Sequence, residues 1–216
     1  MSFISEVIMG IEFNEEKHEY TLDGVKIPSV TEILSPITMS GYSKINPAVL
    51  EHAAMKGTLV HEWCEMYDYG CAEDSVPSEI EPYCRAYMAF VRDYRPVWDR
   101  IEDIVYCDTM VTGNGFAGTL DRAGVIDGKE CVVDIKTISS PTTKQHISVC
   151  CQTAAYSLAS GIWGRRYALY LKPDGTYRLM DCREYEDEKG FAAYILFEDL
   201  YELHDTINSI GGRNGR

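Results

Sequence analysis

A chain of 216 residues with 45% hydrophobic content can bury one substantial core but is short for two independent ones. Its 25% charged and 11% aromatic content excludes a fibrous or low-complexity chain. The formal net charge of −14 argues against a uniformly cationic nucleic-acid surface, because phosphate backbones attract cations and release counterions on binding.

Met1 to Gly10 has no basic n-region and carries Glu6 in its one apolar stretch, so it does not read as an export signal and a cytoplasmic protein is expected. The eight cysteines follow no C-x-x-C spacing, which points to free core thiols rather than disulfides or a zinc ribbon. Ile11 to Ile27 alternates apolar and polar residues around Asp23-Gly24, which predicts a β-hairpin. Ser29 with Glu32 forms a capping box for a short helix, so residues 11–34 are read as a hairpin followed by that helix. Asn46-Pro47 supplies an N-cap and an N1 proline for a helix to about Tyr69. Ser78 and Glu81 predict a second capping box, opening a helix that stops near Pro96.

From Ile101 the period becomes two. Strands are expected at Ile101–Thr112, Phe116–Ile126 and Glu130–Ile138, separated by Gly113-Asn114-Gly115 and Asp127-Gly128. Pro141 to Ser160 reads as a helix closed by Gly161. The charge-free run Ile147–Gly164 is too polar to be left in lipid and belongs in the protein interior. Tyr167–Leu171 and Thr176–Cys182 predict a hairpin about Asp174-Gly175. Asp187–Ile210 predicts a last helix ended by Gly211-Gly212, with 211–216 as a frayed tail. The chain as a whole, 1–216, reads as a single α/β (α+β) domain with a central mixed sheet covered by helices on both faces.

If Asp127-Gly128 is a two-residue loop, Asp121 falls opposite Asp134, where like charges destabilise each other unless something positive compensates. Lys136 shares the face of Asp134, and Ile135 points the other way, with Val133 and Leu120. A carboxylate pair of this kind suits Mg²⁺, which prefers oxygen ligands and keeps waters for chemistry. The acid-x-Lys pattern alone carries little weight, since it also occurs at Glu15/Lys17, Asp127/Lys129 and Asp187/Lys189. From Lys136 to Arg183 there are seven Lys or Arg against two acids, a +5 segment that would offer phosphate a basic face on an acidic body.

Gly118-Thr119-Leu120-Asp121 followed by Val132-Val133-Asp134-Ile135-Lys136-Thr137 resembles the core of the PD-(D/E)XK nuclease superfamily. Gly57-Thr58-Leu59-Val60-His61 with Glu65 resembles the G-x-x-x-H-x-x-x-E helix of its RecB-like exonuclease branch, and Gln152-Thr153-Ala154-Ala155-Tyr156 resembles the Q-x-x-x-Y element. The match spans about Gly57 to Tyr156. The opening Tyr20–Gly24 and Pro28–Thr31 is similar to phage and prophage members.

The resemblance implies a restriction-endonuclease-like core and a metal-dependent deoxyribonuclease. In that reading His61, Asp121, Asp134 and the Ile135 carbonyl hold Mg²⁺, for which Mn²⁺ would substitute. Lys136 assists attack, Glu65 supports the site, and Gln152 and Tyr156 either hold the catalytic strand or contact DNA. An exonuclease on linear DNA in phage recombination or replication is implied, working with a phage recombinase, annealing or single-strand-binding protein and with no membrane. An endonuclease or nickase, a non-catalytic nucleic-acid-binding module, and an acidic DNA mimic are the rival readings. Some relatives carry an iron–sulfur cluster on one upstream and three clustered downstream cysteines. Here only Cys182 lies beyond Tyr156, so none is expected.

Overall fold

Asp127 and Gly128 both take positive φ, 49° and 72°, the pair of left-handed residues that a two-residue type I′ turn requires. The strands they join are therefore fixed in register from Ile126↔Lys129 to Arg122↔Val133. This hairpin is the centre of a computed structural model that describes residues 10–15, 17–38, 45–72, 75–108, 115–138, 140–183 and 192–213.

A five-stranded mixed sheet has strands β4 (Val97–Cys107), β5 (Phe116–Ile126), β6 (Lys129–Lys136), β7 (Arg165–Leu171) and β8 (Tyr177–Asp181) in sequential order. All neighbours are antiparallel except β6 and β7, which run parallel. A parallel pair needs a long crossover, and the crossover here contains α5 (Thr143–Ser160). β1 (Ile11–Asn14), β2 (Glu19–Leu22) and β3 (Val25–Ile27) form a separate antiparallel sheet. Tyr20 on β2 hydrogen-bonds Thr119 on β5 through its hydroxyl at 2.8 Å.

Helices cover both faces of the large sheet. On one side α1 (Val30–Ile33), α5 and α6 (Ala192–Arg213) bury Ile33, Val149, Ala154 and Phe197 against Leu120 and Val132. On the other, α3 (Pro47–Asp68) and α4 (Glu81–Tyr94) bury Val60, Cys64, Tyr87 and Phe90 against Val133, Ile135 and Leu169. The expected α/β architecture is the one observed. The eight cysteines are free thiols, and seven of them are buried. Among the described residues no helix is long and apolar enough to cross a membrane.

Several local expectations need correction. The opening hairpin is a three-stranded meander, because the chain reverses at His18 (φ 52°) as well as at Asp23-Gly24. The Ser29/Glu32 capping box forms and Asn46 caps α3, but the Ser78/Glu81 box does not. α4 starts at Glu81 after Ile80, with no side-chain cap, over a turn in which Ile80 N–H donates to Pro77 O.

β4 begins four residues earlier than predicted, at Val97, and the last residues of the predicted strand, 109–112, lie outside the described residues with 113 and 114 of the next turn. α6 continues through Gly211-Gly212 to Arg213, since two glycines weaken a helix without breaking its hydrogen bonds. Residues 187–191 at its predicted start and 214–216 of the predicted tail lie outside the described residues.

Of the seven cations in the Lys136–Arg183 segment, three are taken up within the protein. Arg166 is buried in the core over the Tyr194 ring, and Arg165 and Arg183 both pair with Asp181.

Candidate metal centre

The β5–β6 ladder ends at Arg122↔Val133, one residue short of bringing Asp121 and Asp134 into backbone pairing. At that end the chains part, and the Asp121 carboxylate reaches across: its Oδ2 accepts the Ile135 N–H at 2.5 Å. On the other edge of β5 the ladder passes from Ile101↔Arg122 to Asp103↔Leu120, skipping Asp121 and Glu102. Glu102 has φ 46°, a left-handed conformation rare for a residue with a side chain and costing about 1–3 kcal/mol. The side-chain alternation of β5 breaks at the same point. Leu120 joins the cluster under α5, whereas Arg122 reaches Asp68 on α3. The expectation that Asp121 and Asp134 lie as an ordinary cross-strand pair is corrected to this open fork.

His61, in the middle of α3, enters the fork from the opposite layer. Its Nε2 lies 3.1 Å from the Ile135 carbonyl, and its Nδ1 lies 3.3 Å from Glu102 Oε1 and 3.7 Å from Asp121 Oδ1. His61, Glu102 and Asp121 each present a ligand atom, all within 4.8 Å of one another. Asp134 is not in this group. It is fully buried, and Lys136 Nζ sits 2.9 Å from its Oδ1 and 2.7 Å from its Oδ2. Only the Oδ1 contact has hydrogen-bond geometry, which leaves Oδ2 a buried oxygen without a hydrogen-bond partner.

Arg122 supports the fork from beneath. Fully buried, it donates through Nε to Asp68 at 2.7 Å, and through Nη1 to Glu102 at 2.9 Å and to the Asp121 carbonyl at 2.6 Å. Tyr87 donates to the same Asp68 oxygen at 2.6 Å.

The electrostatics describe a site short of positive charge. Burial opposes the His61 imidazolium, but Asp121 and Glu102 outweigh it and raise His61 to about 9. Burial raises Asp134 to about 6, against the pull of Lys136. Four carboxylates (Asp68, Glu102, Asp121, Asp134) face two permanent cations, Arg122 and Lys136, so two negative charges stay uncompensated when His61 is neutral. A divalent cation would supply that charge. The donor set of two carboxylates, an imidazole and a nearby carbonyl, with the Asp134–Lys136 ion pair close by, fits an oxygen-preferring ion such as Mg²⁺ or Mn²⁺.

Of the sequence-predicted residues, His61, Asp121, Ile135, Asp134 and Lys136 come together. Gln152 and Tyr156 lie on α5. Gln152 donates to the Tyr156 hydroxyl at 3.0 Å, and burial, with Asp121 and Asp134 nearby, holds that phenol far above its ordinary pKa and so neutral. Glu65 lies outside the ligand cluster. The acid that α3 uses one turn further on is Asp68. Gly57 is not required by packing, since a Cβ there would meet Thr137 Oγ1 at an ordinary 3.8 Å.

Glu102, Arg122 and Asp68 were missed by sequence reasoning. The available signal was Arg122 itself, a charge inside the apolar strand Phe116–Ile126, which cannot be buried without acidic partners.

No family model matches the chain, and no curated protein matches it. Among solved structures it is similar to one described as "Crystal structure of SSO0001", at 15% identity and a TM-score of 0.44, over 83% of this chain and 74% of that one.

Proposed function

We propose that the chain is a divalent-metal-dependent deoxyribonuclease with a restriction-endonuclease-like core, hydrolysing phosphodiester bonds of DNA, with an exonuclease on linear ends as the favoured activity. The observation that carries this reading is the convergence of His61, Glu102 and Asp121 beside the buried Asp134–Lys136 pair, on a fork that leaves acidic oxygens uncompensated. The sequence resemblance to PD-(D/E)XK nucleases supports it independently.

His61, Glu102 and Asp121 would hold the ion, with the Ile135 carbonyl and Asp134 at its side. A bound divalent ion lowers the pKa of a water and draws charge from a phosphoryl oxygen. Asp121 keeps one oxygen anchored on the Ile135 amide, so its other oxygen is presented in a fixed direction. Lys136, whose side chain is 34% exposed at the rim, orients the scissile phosphate or the attacking water. Arg122 fixes Glu102 against rotation. Hydrolysis adds the water oxygen to phosphorus, breaks one P–O ester bond and passes the water proton to the leaving oxygen.

The test incubates the protein with end-labelled linear, circular and single-stranded DNA in Mg²⁺, Mn²⁺ or chelator, beside Glu102→Gln, Asp134→Ala and Lys136→Ala. Metal-dependent cutting that falls in all three variants is expected. Cutting in chelator, or undiminished cutting in all three variants, overturns the mechanism. No cutting of any substrate favours a binding module.

A further inference from the structure

A cluster of polar side chains lies inside the apolar layer under α5, away from the candidate metal centre. His146 and Cys150 share one face of α5, with His146 Nε2 3.6 Å from the Cys150 sulfur and Nδ1 2.8 Å from the Tyr170 hydroxyl on β7. Cys182 follows directly on β8, and its thiol hydrogen-bonds that of Cys150. Arg166 ties both backbones to β7: its carbonyl accepts the Cys182 N–H at 2.9 Å, and its Nη1 donates to the Cys150 carbonyl at 3.3 Å. Burial ordinarily makes a thiol inert by disfavouring its anion. Cys84 and Cys131 behave so, pushed up by burial to about 11 and about 12. Cys150 goes the other way. The hydrogen bond from Cys182 lowers it most, and with His146 and Arg166 it outweighs burial and brings the thiol to about 6. The same bond, with burial, holds the Cys182 thiol well above its ordinary value.

We propose that Cys150 and Cys182 are an oxidisable dithiol: hydrogen peroxide oxidises the Cys150 sulfur, and Cys182 resolves the product as a disulfide joining α5 to the end of β8. The inference does not depend on the nuclease reading. In the first step the Cys150 thiolate attacks one peroxide oxygen. An S–O bond forms, the O–O bond breaks, and the departing hydroxide takes a proton to leave as water. In the second, the Cys182 sulfur gives up its proton and attacks the Cys150 sulfenic acid. The S–S bond forms, the S–O bond breaks, and a second water leaves. Two thiols and one peroxide thus become one disulfide and two waters. Cys150 keeps 4% of its surface open and Cys182 none, so an oxidant little larger than water meets Cys150 first. A pair of thiols in contact, one ionised and one protonated, is the arrangement that attack and resolution require.

The test treats the folded, reduced full chain with hydrogen peroxide, then denatures it, alkylates the remaining thiols and maps the peptides by mass spectrometry. Cys71→Ser is used throughout, because Cys71 is the exposed cysteine. The seven thiols of that background should fall to five, with Cys150 and Cys182 in one cross-linked peptide. The initial rate should rise with pH to a plateau above about 6. Oxidation should also raise the melting temperature by about 5–10 °C, since the bond closes a loop of roughly 30 residues. Adding Cys182→Ser should leave a sulfenic acid at Cys150 that dimedone traps, and adding Cys150→Ser should abolish the reaction at Cys182. Seven thiols surviving peroxide that oxidises glutathione in the same tube overturns the proposal without recourse to any further variant. So does a Cys150–Cys182 bond that forms only in denaturant, or a disulfide that pairs either cysteine with another.

Discussion

Glu102 carries the most weight among single residues. It sits in a left-handed conformation and shares one oxygen between Arg122 and His61, so its charge cannot be moved without disturbing both. Glu102→Gln should lower kcat/KM on linear DNA by about 100-fold or more and weaken Mn²⁺ binding by calorimetry, with a smaller loss of stability.

The pH dependence follows from His61 and Asp134. Both stand above their unfolded values of 6.5 and 3.8, at about 9 and about 6. A raised folded pKa stabilises most below the unfolded value and is lost as pH climbs through the folded one. In chelator, therefore, the melting temperature should fall between about pH 4 and 6 as Asp134 ionises, and again between about 6.5 and 9 as His61 loses its proton. In saturating Mg²⁺ the upper fall should shrink or reverse, because the ion needs the neutral imidazole. Scanning fluorimetry across pH, with and without metal, distinguishes the two trends.

Elements divide by how their register is set. The β5–β6 hairpin was legible because an Asp-Gly turn of two residues fixes which side chains face each other. The β4–β5 pairing was not, since no two-residue turn joins these strands to set their register from sequence, and Glu102 went unseen for that reason although the ladder keeps one register from Cys107↔Phe116 to Ile101↔Arg122. α3 was legible at both ends from Asn46-Pro47 and Tyr69, but which of its acids serve the site depends on depth in the sheet, which periodicity does not encode.

Two substitutions test the packing of these elements. A Cβ at Gly118 on β5 would lie 2.8 Å from the Tyr156 ring and 3.1 Å from Val30. Gly118→Ala should cost about 1–3 kcal/mol in urea unfolding and displace the α5 hydroxyl that Gln152 holds. Arg122→Ala leaves Asp68 and Glu102 as buried acids without their cation, and should cost about 3–5 kcal/mol. Arg122→Ala combined with Asp68→Ala should recover part of that loss.

At the scale of the whole molecule, the net charge of −14 and the burial of Arg122 and Arg166 mean that a nucleic acid bound in the proposed reading would meet an acidic body. For single strands the logarithm of affinity falls with the logarithm of salt at about 0.7 per neutralised phosphate. Each phosphate neutralised would therefore add only about 0.7 to the slope, and a shallow salt dependence is expected when oligonucleotide binding is titrated from low to high salt. The sandwich of helices on a mixed sheet was readable from element order alone. The site needed three layers brought into one place: α3 from one side, the fork of β5 and β6 in the middle, and α5 from the other.

That fork also builds in a reporter. The Ile135 amide is held by the Asp121 carboxylate, so its hydrogen-exchange rate records whether that side chain is in place, without substrate, ion or turnover. Slow exchange at this one amide in the resting protein, with acceleration in Asp121→Ala while Val133 stays protected, would show that the chain arranges its metal-facing oxygen before any metal arrives.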